Sequence, residues 1–94
     1  MIKISWALMD VHVDEWIGED VATGAAALEA KVGSVVGASG MKPEAVQDWR
    51  EAFLTPTVEA LRSQGAGALA RGESWSTATG PLLVHLDPSA REFP

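Results

Sequence analysis

Asp10, His12 and Asp14 are the residues best suited to chemistry, and they alternate along the chain. On an extended segment all three project from one face. His85 and Asp87 repeat the spacing near the other end. If the two segments were neighbours, their imidazoles and carboxylates would form a donor set adequate for a divalent metal. The plainer reading makes them polar outward positions beside Val11, Val13, Val84 and Leu86, and on that reading no metal or cofactor is expected. Other constellations are weaker. The chain has no cysteine, and Ser5, Ser74 and Ser76 lie in no activating motif of the Gly-x-Ser-x-Gly kind. Gly65-Ala66-Gly67 follows a helical pattern and lacks the fingerprint of a phosphate-cradling loop. Glu15 and Glu19 stand one turn apart on a face read as solvated, whereas acid–base work needs burial to raise one carboxyl. No catalytic residue is assigned, and the chain is not read as an enzyme.

The elements that would position these groups must fit in 94 residues, which is one domain. Much of the apolar content is alanine and valine, so the core is thin for a chain already limited by its surface-to-volume ratio. The four tryptophans are prominent for that reason. A net charge of −6 excludes the basic footprint of a nucleic-acid binder and disfavours an anionic membrane surface. No run approaches the roughly 20 apolar residues of a membrane helix. The start, MIKISWALMD, reaches Asp10 too soon for a secretory signal. The expected location is cytoplasmic, and any export would have to use a route that does not read such a signal.

Residues 1–12 alternate in part and read as a short strand or an extended arm. Helix one is expected at about 13–37, capped by Asp14 and striped by Ile17, Val21, Gly24, Leu28, Val32 and Val35. Gly24 and the alanines after it leave the middle small enough for a second helix to approach. Gly37 suits a left-handed cap, and Gly37-Ala38-Ser39-Gly40 reads as a tight loop. Helix two is expected at about 42–77, starting at Pro43. Pro56 should kink it near Thr55, and Val46, Trp49, Phe53 and Leu61 carry its stripe. Thr79-Gly80-Pro81 is a stop, Leu82–Leu86 a short apolar run, and residues 88–94 a tail. The fold class that follows is all-α: an antiparallel helical hairpin with an extended N-terminal arm and a C-terminal tail.

This organisation resembles the WXG-type (ESAT-six-like) helical hairpins of actinobacterial type VII secretion. The likeness is strongest over Phe53–Gln64, Gly67–Leu69 and from Gly80 onward. Two features depart from that family. The turn has no Trp-x-Gly, and Leu83 stands where an export signal of the Tyr-x-x-x-Asp/Glu form has its tyrosine. The resemblance implies a four-helix bundle formed with a second hairpin or with the helical targeting domain of a secreted effector. The chain would then be a secretion partner or chaperone-like adaptor. The expected partner interface is Trp16, Ile17, Val21, Leu28, Trp49, Phe53, Val58, Leu61 and Trp75. Two alternatives stand beside it. One is a small metal-binding or metal-dependent enzyme using His12, His85 and the nearby aspartates. The other is an α+β module in which residues 2–12 and 82–86 pair as strands packed on the helices.

Overall fold

Ile2, Ile4, Trp6 and Leu8 alternate with Lys3, Ser5 and Ala7, and this period of two is realised as strand β1 (Ile2–Leu8) at the centre of a sheet. The computed structural model describes residues 1–88. Its other elements are β2 (His12–Gly18), α1 (Val21–Gly37), a long helix α2 over residues 43–70, β3 (Trp75–Thr79) and β4 (Leu82–Asp87). The four strands are antiparallel in the order β2-β1-β4-β3, with Ile4 opposite Trp16 on one side and Leu86 on the other.

Both helices lie on one face of this sheet. Ile4, Trp6, Leu82, Val84 and Leu86 look up from the strands, and Ala25, Leu28 and Val32 of α1 and Leu54, Val58 and Leu61 of α2 look down. The result is a two-layer α/β fold. It overturns the all-α hairpin. The resemblance to WXG-type proteins falls with it, as does the four-helix bundle, because the helices bury their stripes against a sheet of the same chain. Pairing of the 2–8 and 82–87 segments, the alternative to the hairpin, is what the structure shows. The tail expected over 88–94 lies almost wholly outside the described residues.

Two boundaries account for the difference. Residues 13–18, expected to open helix one, instead belong with His12 to the edge strand β2. A tight turn joins it to β1, and in that turn the Val11 N–H donates to Leu8 O at 3.0 Å. Asp10 takes a φ of 61° there, a left-handed conformation that costs a non-glycine residue energy. Helix α1 therefore begins later, capped by Asp20 rather than Asp14. The Asp20 carboxylate accepts from the Thr23 N–H at 2.9 Å. The second boundary is the end of helix two. The left-handed Gly72 (φ 72°) closes α2, with the Glu73 N–H reaching back to Ala68 O at 2.9 Å. Trp75–Thr79 is then free to form β3. At the other loop the left-handed residue is Gly40, and Gly37 is the last residue of α1.

Pro56 does not break α2. The turn over Arg50–Leu54 widens, so that the Thr55 N–H bonds to Arg50 O, and the ring is accommodated in the next turn. Thr57, wholly buried, satisfies its hydroxyl by donating to Phe53 O at 2.7 Å. A second widened turn, Leu61–Gly65, brings Gly65 down onto the sheet, where a Cβ would stand 3.4 Å from Leu86 and Trp75. Gly24 also marks a close approach, but to strands rather than to a second helix. A Cβ there would meet Ile4 Cδ1 at 2.5 Å and the Trp16 ring at 2.6 Å. No helix among the described residues is long and apolar enough to cross a membrane.

Candidate functional site

The strands that present Ile4, Trp6 and Val84 to the helices present their alternate side chains to the opposite face, which no described element covers. Cross-strand register arranges these outward residues in rows. Val13, Ala7, Leu83 and Ala78 form one row across all four strands. Glu15, Ser5, His85 and Ser76 form the next, and Ile17, Lys3 and Asp87 a third. The face is a shallow concavity of about 560 Å³, floored by the small residues Ser5, Ala7, Ser76 and Ala78. Its large apolar members are open to solvent: Val13 is 79% exposed, Ile17 51% and Leu83 44%.

An antiparallel sheet can keep one face in water, but that face then alternates to polar residues. Here five of eleven outward positions are apolar, and three of those five are large. Leu83 carries a signal for this in the sequence. It interrupts the alternation of Leu82, Val84 and Leu86, so one leucine of the run must face away from the core. Val13 carries none, because it stands four residues before Ile17 and fits a helical step as well as a strand.

The residues expected at a partner interface are distributed differently. Val21, Leu28, Val58 and Leu61 are in the chain's own core between the helices and the sheet. Trp16, Trp49 and Trp75 are half-buried and pack against that core. The Trp16 ring covers Gly18 and Gly24, Phe53 covers Gly80, and Trp49 meets Phe53 edge-on at 5.4 Å between centroids. Of the nine, Ile17 alone stands on the uncovered face.

The metal donors do not converge. His12 lies on the helix side of β2, across from Leu8, while His85 lies on the uncovered side of β4, across from Ser5. No group of three His, Asp or Glu residues among those described is placed to hold an ion. Asp14 instead pairs with Lys31 at 3.1 Å, and the Lys31 ammonium stands 6.0 Å from the Trp6 ring centroid. The backbone N–H of Glu15, and after it Lys31, hold the Asp14 carboxyl below its ordinary value. This ion pair ties α1 to the edge strand.

A second apolar feature sits at the end of the sheet where β1 turns into β2. Leu8, Met9, Val11, Val36, Met41 and Trp49 are among the residues lining a socket of about 160 Å³. Met9, Val11 and Met41 are exposed around it. Compared with known proteins, the chain matches no family model, no curated protein and no solved structure.

Proposed function

We propose that this protein is a non-enzymatic interaction module that binds another protein across the uncovered face of its sheet. The observation that carries the reading is the continuous row Val13–Ala7–Leu83–Ala78, apolar on every strand and open to solvent. Burying such a row contributes roughly 25 cal/mol per Å² of apolar surface removed from water. The flanking row of Glu15, Ser5, His85 and Ser76 gives polar contacts that set orientation. The titratable and hydroxyl groups are split between two faces of the sheet, which suits recognition better than acid–base or nucleophilic chemistry.

A photoreactive amino acid at Leu83 tests this directly in the cells that make the protein, with the same group at Ala30 on the exposed side of α1 as control. A discrete adduct from position 83, identified by mass spectrometry, and none from position 30 is the expected result. Equal labelling from both positions, or none from 83, would sink the reading.

A further inference from the structure

The sheet has two edges, β2 and β3, and they differ in kind. Exposed edges invite pairing with another chain, and proteins that avoid it place charges, prolines or bulges there. β2 carries Asp14 and Glu15 at its middle. Two copies pairing antiparallel through β2 would set Glu15 against Glu15. β3 reads Trp75-Ser76-Thr77-Ala78-Thr79, with no charge and no proline, and its register against β4 is unbroken.

The β3–β4 turn determines which backbone groups face outward. Gly80 and Pro81 form a two-residue connection, with Gly80 at a φ of 57°. The pair closing such a turn, Thr79 and Leu82, exchanges hydrogen bonds, and pairs alternate from there. Thr79, Thr77 and Trp75 therefore spend their N–H and C=O groups on β4. Ser76 and Ala78 point theirs away from the sheet.

We propose that two copies of this chain pair antiparallel through β3 about a two-fold axis at Thr77, joining their four-stranded sheets into one. About that axis Ser76 lies opposite Ala78 of the second copy, and each pair exchanges both N–H···O=C bonds. On the helix side Thr77 meets its own counterpart, and Trp75 lies across from Thr79 of the second copy. Threonine and aromatic neighbours are favourable cross-strand pairs. On the other side Ser76 and Ala78 are small and bring no like charges together.

The pairing rests on the reading of the uncovered face as a binding surface, and it extends that surface. Four strands about 4.8 Å apart and about 20 Å long present on the order of 400 Å². A specific interface buries about 800 Å² per partner. Two faces joined edge to edge reach that size, and one alone does not.

The test is a charge swap on the full chain, read by sedimentation equilibrium. Wild type is expected to dimerise. Ser76→Lys with Ala78→Lys, and separately Ser76→Glu with Ala78→Glu, should each be monomeric with an unchanged circular dichroism spectrum, and an equimolar mixture should restore a dimer. Should either pair fail to fold, amide exchange on wild type decides: Ser76 and Ala78 should exchange more slowly as protein concentration rises. A wild-type monomer at high micromolar concentration, or a dimer that survives both swaps, would overturn the pairing. A dimer broken by Leu83→Glu and untouched by the β3 swaps would also overturn it while supporting the uncovered face as the binding surface.

Discussion

Gly24→Ala is the substitution that separates this fold most sharply from a pair of helices. In an exposed helix interior, alanine is favoured over glycine by about 1 kcal/mol. At Gly24 the added Cβ would lie 2.5 Å from Ile4 Cδ1 and 2.6 Å from the Trp16 ring. Ile4 is 0% exposed, so its methyl has nowhere to retreat. Forcing an extra carbon into a packed site costs typically 1–3 kcal/mol. The two terms oppose, and overpacking wins: the expected net is a loss of about 1 kcal/mol, or roughly 4–8 °C in Tm for a chain of this size. Gly37→Ala is the matched control. It sits in the last turn of α1 with nothing within 4 Å of where its Cβ would stand, so the same change should stabilise, by up to about 1 kcal/mol. Urea denaturation followed by tryptophan fluorescence measures both. A Gly24→Ala protein more stable than wild type would mean that α1 does not lie against Ile4 and Trp16, and the two-layer packing would be wrong.

Other perturbations follow from the same geometry. Leu28→Ala empties a fully buried position and should lower unfolding free energy by about 2–5 kcal/mol; a change under about 1 kcal/mol at a concentration where the protein is monomeric would place Leu28 outside the core. Asp10→Gly relieves the left-handed φ of 61° and should stabilise by about 0.5–1 kcal/mol, seen as a higher urea midpoint with an unchanged slope. Acid should weaken the fold through Asp14 and Asp20, both held below the usual aspartate value of 3.8: Asp14 by the Glu15 N–H and then Lys31, Asp20 by the Thr23 N–H and then its hydroxyl. A lowered folded value favours the ionised form, so this stabilisation is complete above the unfolded value and is lost as pH falls through the folded one. The urea midpoint should therefore hold while the pH stays above the usual aspartate value of 3.8 and drop as it is taken below, and Asp20→Asn, which keeps a capping oxygen without the charge, should shrink the drop.

The parts of the fold legible in the sequence are those with one clean period. Ile2, Ile4 and Trp6 alternate without interruption, and Val21, Leu28 and Val32 recur at helical steps; both segments take the form their pattern predicts. The alternation of β2 is obscured because each of its faces mixes apolar and acidic residues: His12, Asp14 and Trp16 on one, Val13, Glu15 and Ile17 on the other. Ile17 also falls four residues before Val21, which extends the helical stripe by coincidence. β3 is hidden differently. Trp75 and the threonines favour a strand, but Trp75 reads as the end of helix two when the polar break Arg71-Gly72-Glu73-Ser74 before it is taken for another helical turn; the left-handed Gly72 ends the helix there. The uncovered face is the least legible feature, since it exists only once register places Val13, Ala7, Leu83 and Ala78 side by side.

That placement changes what the thin core means. Alanine and valine in quantity suggest a chain that must associate to be stable, with helix stripes as the associating surface. The structure uses those stripes internally, down to Gly24, Gly65 and Ala25, whose small size lets helices settle close to the strands. Close approach recovers contact that bulk would otherwise supply, because dispersion and exclusion of water both depend on proximity as well as on area. The pressure to associate then falls on the other side of the sheet, where no described helix lies. There Val13 and Leu83 remain exposed at positions a two-layer fold leaves open, and the uncharged β3 edge lies next to the strand of Leu83. A third layer, contributed by another molecule, would complete the burial that the helices provide on the first face.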